Sequence, residues 1–383
     1  MIMPPAQSRN PVRVRVTGVG AFVPEQVVSN EQIARAIPGW SAERIAEKLF
    51  IQERRFLWEL DADNGCTLPP EGLGLAPDGS GTPASNTDMC DVALRQALAM
   101  AGTEAAEIDA IFVVTCTPDR LNFNHDAMEL HRRLGCRPET FAIVVDDGCG
   151  GTPYVMDLAY RMIQGGGFRN IAIVGSAFTS PLVNREVYTS EVAPAPGRKP
   201  LNAYLSMYVF GDGAGAIVLR GDARADEDDE AGVLASMSGS THAELVLRRG
   251  GGQMALPYHD WSRKGDLAFV IDGPQVARSY PIYMQQCIDA VLAGHPELAG
   301  EVARYYFHQP NKRVLDAFAT TAGLAPDRVA SHVQNRGNTS AAGMLILLAE
   351  DLAAGTVALG RGDVVLIAAI GANVHYGAQL IRL

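Results

Sequence analysis

Three short segments hold side chains whose types and settings could do covalent chemistry. The first is VVDDGCGGTPY, where Cys149 follows an apolar run and precedes two glycines. A strand running through a glycine turn into a helix would put this thiol at a helix N-terminus. Partial positive charge there favours thiolate over thiol. Unpaired N–H groups of the same turn could hold an oxyanion. A buried free thiol acting as a small apolar residue is the alternative, and the setting lifts only Cys149 above it. The second segment is YYFHQPNKR: His308 ends an aromatic strand that Pro310 halts. Strand ends are where ligand sites open in α/β sheets. The third is NRGNTSAAG, where Asn338 either caps a helix or points its amide N–H into the site as a donor; spacing leaves both open. Taken alone, His308 reads as a structural histidine, as do His125, His131 and His375.

The elements that must position these residues alternate. Val12 to Val23 reads as a strand, with Val12, Val14 and Val16 separated by Arg13 and Arg15. Asn30 to Leu49 is predicted helical and broken near Pro38. Asp88 to Ala101 has helical spacing and a Gly102 stop. Strands follow at Ile108–Cys116, Phe141–Val145 (buried) and Asn170–Val174, and helices at His125–Leu134 and Gly150–Ile163. Such alternation predicts a mostly parallel sheet with helices on its faces. Asn64 to Asn86, rich in Gly, Pro and Ser, reads as a surface loop. FGDGAGAIVL, from Phe210 to Leu219, looks like a phosphate loop, but no Lys-Ser or Lys-Thr follows and its glycines enter a strand. Close backbone packing near the site is the better reading.

The charge run GDARADEDDEAG, Gly221 to Gly232, marks the boundary between two halves, 1–225 and 226–383. The second half echoes the first. FAIVV leads to a turn, Cys149, a helix, glycines and the strand NIAIVG; Ser331–Gln334 leads to a turn, Asn338, a helix to Ala354, Gly355 and the strand VVLIAAIG. A duplicated α/β unit with one shared site between its halves accounts for this.

Composition narrows the function further. The 383 residues are 47 % hydrophobic and 20 % charged, an ordinary globular balance. A net charge of −11 argues against a general nucleic-acid role, and an acidic protein partner would need a local basic patch. The six cysteines include no CxxC pair, so neither a zinc site nor a redox dithiol is signalled. MIMPPAQSRNPVRVRV lacks a signal-peptide core, and runs such as Val364 to Ile370 are too short to span a bilayer. The expectation is a cytoplasmic protein with free thiols and no membrane association.

Cys149 at its turn, GDGAGA, HQPN and GNTSAA, in this order and at this spacing, resemble the β-ketoacyl-acyl carrier protein synthase III family of the thiolase superfamily. The resemblance runs from TGVGAFVPEQVVSNEQIA and IQERRF nearly to the end of the chain. It implies a thiolase-like fold of two pseudo-duplicated α/β halves, layered α-β-α-β-α. It implies a catalytic triad of Cys149, His308 and Asn338, with an oxyanion hole made by the backbone N–H of Cys149 and one from the Gly371–Ala372 turn, assigned to Ala372. The activity implied is condensation of a Cys-bound acyl group with a second acyl thioester, without metal or redox cofactor. Substrates would ride on the phosphopantetheine of coenzyme A or an acyl carrier protein. Arg313, Lys48, Lys312 and Arg44 would bind the arm or carrier, with Arg248 and Arg249 extending the patch. A homodimer is implied, packed through the Cys-bearing halves.

Departures from the family pattern are the DDGCGG context, the GANVHYG loop, the Asn64–Asn86 insertion and TPDRLNFNHDAMELH. They suggest a different acyl pocket and a place in polyketide or other specialised metabolism, including the joining of two β-ketoacyl chains to an α-pyrone. Acyl transfer to a hydroxyl or amine competes, although the intact Asn338 favours condensation. A silent heterodimer subunit would usually lack the nucleophile or the histidine.

Overall fold

The computed structural model describes residues 12–71, 74–76, 78–192, 199–222, 231–251 and 264–383. Two sheets dominate it. The first contains β1 (Arg13–Phe22), β2 (Ala110–Val114), β3 (Phe141–Val145), β4 (Asn170–Ala177) and β5 (Gly213–Asp222), in the order β1-β5-β4-β2-β3. The second contains β6 (Gly232–Ser240), β7 (Val302–Phe307), β8 (Val364–Ile370) and β9 (His375–Arg382), in the order β6-β9-β8-β7. Both repeat one pattern. β5 runs antiparallel to β1 and β4, while β4, β2 and β3 are parallel. β9 likewise runs antiparallel to β6 and β8, while β8 and β7 are parallel. The sheets are therefore mixed rather than mostly parallel. At the position corresponding to β3, the second sheet has, among the described residues, only the isolated bridge between Tyr305 and Val329.

The longer helices are α1 (Asn30–Ala36), α2 (Ala42–Leu49), α3 (Asn86–Ala101), α4 (His125–Leu134), α5 (Gly151–Gln164), α6 (Gly273–Leu292), α7 (Lys312–Thr321) and α8 (Gly343–Ala353). Their ends follow local rules. Ser29 and Gln32 form a reciprocal capping box on α1. Gly102 and Gly135, both left-handed, close α3 and α4.

Packing sorts the helices into layers. Val155, Met156 and Ile163 of α5 and Met344, Leu345 and Leu348 of α8 lie between the sheets, against Ile173 and Ile217 on one side and Val365 and Ile367 on the other. Leu94 of α3 and Leu130 of α4 cover the outer face of the first sheet, on Val113 and Val174. Met284 of α6 and Phe318 of α7 cover the outer face of the second, on Leu366 and Ala368. Side chains of β2 thus alternate between two buried faces, Phe112 inward and Val113 outward. β3 differs from its buried expectation: it is the sheet edge, and Phe141 is 46 % exposed.

The middle layer carries polar fasteners. Buried Asp157 of α5 accepts from Ser236 Oγ (2.8 Å) and Ser238 Oγ (2.6 Å) of β6 and pairs with Arg161. Thr152 Oγ1 donates to Ala341 O at 2.7 Å. The insertion is not a plain loop: Glu59–Asp61 pairs with Cys66–Leu68, and Gly74–Leu75 with Gly81–Thr82. The expected boundary at 225/226, with most of its charge run, lies outside the described residues.

Asp157→Ala removes the buried acceptors of two part-buried hydroxyls of β6. A loss of about 1–3 kcal/mol in unfolding free energy is expected by urea titration. A change below about 0.3 kcal/mol would show that these bonds do not hold the sheets together.

Candidate active site

The loop that carries Cys149, the expected nucleophile, starts where β3 ends. Cys149 precedes the α5 N-cap, Gly150, so it stands just before the helix rather than in it. Gly150 is required by space. A Cβ there would fall 2.5 Å from both Gly371 N and His375 O, and one on Gly371 would fall 2.6 Å from Gly150 N. The loop after β3 and the turn after β8 therefore touch backbone to backbone beside the thiol.

HQPN divides its work among four residues. His308 N–H donates to Ala368 O (2.9 Å) and its carbonyl accepts from the buried Tyr280 hydroxyl (2.6 Å), fixing it at the end of β7. Gln309 Nε2 donates to Ala330 O, and its Oε1 accepts from His332 N and Val333 N. Pro310 follows, and Asn311 caps α7 through Val314 N–H. Gln309 thus ties the histidine segment to the segment leading to Asn338.

That segment is not the strand-to-helix turn of the first half. Val333–Arg336 is a short helix, and Asn338 bridges to Phe210: its N–H donates to Val209 O (2.8 Å) and its carbonyl accepts from Gly211 N–H (3.1 Å). Gly211 of FGDGAGA permits the approach, since a Cβ there would fall 2.0 Å from Arg336 O. Arg54 of IQERRF lies fully buried below, donating to Val28 O, Asn30 Oδ1 and Tyr208 O. Asn338 does not cap a helix with its side chain. Its Oδ1 accepts from Ser340 N–H at 2.8 Å, which turns the amide nitrogen away as the donor end. Ser340 holds a left-handed φ of 48° and brings its Oγ to 3.5 Å from Cys149 Sγ.

Cys149, His308 and Asn338, all buried, line one cavity of about 710 Å³. Gly371 and Ala372 line it too. The Gly371 N–H is spent on His375 O (2.7 Å), whereas the Ala372 N–H has no acceptor among the described residues and the Cys149 N–H meets only its own thiol. The other end of the cavity is lined by Trp40, Arg44, Lys48 and Arg313, the last three exposed. The Arg44 guanidinium sits 4.9 Å from the Trp40 ring. Lys312 is not among the lining residues; it pairs with Asp316, one turn on. Arg248 lines neighbouring cavities with Cys116 and covers Phe269, and Arg249 lines none of these cavities. His125 and His131 also lie outside the Cys149 cavity.

At rest the thiol form is favoured over the expected thiolate. Burial, aided by the Asp147 carboxylate, pushes the Cys149 thiol up to about 11, against opposing bonds from Ser340 and Asn338. Burial pushes His308 down to about 3. Near neutral pH the pair is a thiol and a neutral imidazole.

Spacing did not reveal Asp147 and His375. His375 Nδ1 donates to Asp147 Oδ2 at 2.9 Å, and Asp147 Oδ1 accepts from Gly148 N–H at 2.7 Å. Burial raises the Asp147 carboxyl, and His375 opposes the shift. His375 is therefore not an isolated structural histidine. The DDGCGG and GANVHYG departures were the available signal.

A profile described as 3-oxoacyl-[acyl-carrier-protein] synthase III matches residues 145–241, and one for the C-terminal part of the same enzymes matches residues 298–383. The chain is 30 % identical to the β-ketoacyl-[acyl-carrier-protein] synthase III of Acidiphilium cryptum, over 97 % of this chain and 99 % of that one. The solved 3-oxoacyl-(acyl carrier protein) synthase III of Pseudomonas aeruginosa superposes with a TM-score of 0.72 at 25 % identity, covering 97 % of this chain and 98 % of the other. A priming β-ketosynthase from a polyketide biosynthetic pathway gives a TM-score of 0.72 at 22 % identity, covering 99 % of both chains. These likenesses show the thiolase-like fold.

With the thiol raised to about 11, thiolate is scarce at neutral pH and grows with alkalinity. Alkylation of Cys149 by iodoacetamide, followed by peptide mass spectrometry, is expected to accelerate continuously from pH 7 to beyond pH 9. A rate plateau already reached at pH 7 would contradict the neutral resting thiol.

Proposed function

The chain belongs to the 3-oxoacyl-[acyl-carrier-protein] synthase III family of condensing enzymes, and from that premise we propose that it joins two acyl thioesters through an acyl group carried on Cys149. The observation that carries the reading is convergence. Cys149 from one repeat and His308 and Asn338 from the other face a single cavity that reaches the surface between cations.

In the first half-reaction Cys149 Sγ attacks the carbonyl carbon of the donor thioester. The oxygen that becomes negative lies between the N–H groups of Cys149 and Ala372. Neutral His308 accepts the thiol proton, and the departing carrier thiol takes it up, leaving an acyl-cysteine. In the second half-reaction an acceptor thioester enters. The imidazole N–H of His308 and the amide of Asn338 donate to its carbonyl oxygen while loss of CO₂ makes it an enolate. Its carbon attacks the acyl-cysteine, the Cys149 thiolate leaves, and a β-keto thioester forms. Two neutral donors on one oxygen act where charge develops. The substrates are read as phosphopantetheine thioesters of coenzyme A or an acyl carrier protein, with Arg44, Lys48 and Arg313 meeting phosphate or an acidic carrier. No metal or redox cofactor enters this scheme. Lys312 has no part in it.

The finer reading is specialised metabolism. It rests on the changed DDGCGG and GANVHYG loops and a cavity lined mainly by apolar side chains, such as Leu205, Val209, Phe210 and Ile370, and it includes the joining of two β-ketoacyl chains to an α-pyrone. A homodimer through the first repeat is also proposed, supported by the β3 edge and by Phe141, Leu121 and Phe123, the last 93 % exposed. No helix among the described residues is long and apolar enough to cross a membrane, and a cytoplasmic location belongs to the same proposal.

Intact-protein mass spectrometry with a panel of acyl thioesters is expected to show one acyl adduct, absent in Cys149→Ala. Asn338→Ala should keep acylation while condensation falls about 10²–10³-fold. No adduct with any donor, or an adduct that survives in Cys149→Ala, would overturn the reading.

A further inference from the structure

We infer that Asp147 and His375 are a positioning pair that sets the spacing of the two backbone donors, Cys149 N–H and Ala372 N–H. The inference rests on the acyl-cysteine reading above and adds to it the device that builds its oxyanion hole. The two donors belong to different loops, one after β3 and one after β8. Contact between Gly150 and Gly371 limits how close those loops come, but a glycine–glycine contact does not resist separation or sliding.

The attraction comes from Asp147. Its two oxygens serve both loops, Oδ1 receiving the Gly148 N–H next to the nucleophile (2.7 Å) and Oδ2 the Nδ1 of His375 (2.9 Å). His375 then grips the second loop through its backbone, since its carbonyl accepts from Gly371 N–H at 2.7 Å, one residue before Ala372. Its ring lies on Tyr154 of α5, centroids 5.2 Å apart, which fixes the ring against the helix behind the nucleophile. One carboxylate, one imidazole and three hydrogen bonds thus connect Cys149 to Ala372, and neither Asp147 nor His375 lines the Cys149 cavity.

The second loop needs holding. Val374 sits at a φ of 59°, a left-handed conformation that strains a β-branched residue. Val374 N–H donates to Gly371 O, Thr241 N–H to Val374 O and Leu245 N–H to Ala372 O. These bonds shape the turn within its own repeat. Among the described residues, the Asp147–His375 bond and the glycine contact join it to the nucleophile loop, while Gln379 Nε2 on Pro153 O and the His375 ring on Tyr154 hold the following strand to α5. Asp147 is buried and its partner half-exposed, so the bond is screened from water on one side only.

The test separates geometry from folding. Acylation of Cys149 by a thioester needs the oxyanion hole, whereas alkylation by iodoacetamide needs only the thiol. His375→Ala is expected to slow acylation about 10–100-fold, the scale of a misplacement near 1 Å, with alkylation at the same pH changed less than about 2-fold. His375→Asn restores an N–H near the Nδ1 position and should recover acylation to within about 5-fold of the parent. The double variant His375→Ala/Asp147→Ala should be no slower than the slower single variant, because both act through one bond. Alkylation falling together with acylation, undiminished acylation in His375→Ala, or multiplied losses in the double variant would overturn the pair. Failure of the unaltered protein to acylate at all would overturn the nucleophile reading instead, a pattern distinct from each of these.

Discussion

Everything at this site depends on the contact of two glycines. Gly150 and Gly371 bring the loop after β3 against the turn after β8 with no room for a Cβ on either. In the proposed mechanism the Cys149 thiol of one repeat and the Ala372 N–H of the other can cooperate only at that separation. The layers serve the contact: α5 and α8 fill the space between the sheets, and buried Asp157 with Ser236 and Ser238 fastens the helix of one repeat to the sheet of the next.

Burial has a consequence for the chemistry. A thiol at a helix start is expected to ionise readily, yet enclosure and the Asp147 charge push Cys149 to about 11, while His308 falls to about 3. The resting thiol and imidazole are thus both uncharged, and in the proposed mechanism charge appears only during reaction, between the N–H groups of Cys149 and Ala372. Asp147 raises the thiol through its charge and holds the loops through its oxygens. Stabilising the resting geometry and favouring the neutral thiol are two effects of one carboxylate.

Much of this was legible in the residues because the signals were local. Gly102 and Gly135 end their helices where glycine stops predict, and Cys149, His308 and Asn338 do share a cavity. What was missed depends on tertiary pairing. The apolar run of β3 looks buried, but only the sheet order makes it an edge. Lys312 and Arg313 are neighbours in sequence, and the turn of α7 sends one to Asp316 and the other to the cavity. Asp147 and His375 are 228 residues apart, so no spacing rule connects them. Their loops were visible as departures from a family pattern, without an indication of contact. The echo of the two repeats held in strand order and failed at Ser331–Gln334, where a short helix and a single bridge at Val329 stand in place of a strand.

The most direct measurement of the central claim is a crystal structure of the acyl-enzyme, trapped with a donor thioester and no acceptor. The expected result is an acyl group on Cys149 Sγ with its carbonyl oxygen within about 3 Å of both Cys149 N and Ala372 N, leaving His308 and the amide of Asn338 open toward the cavity. An acyl group on another residue, or a carbonyl oxygen turned away from the loop after β8, would contradict the claim that contact between the two repeats creates the active site.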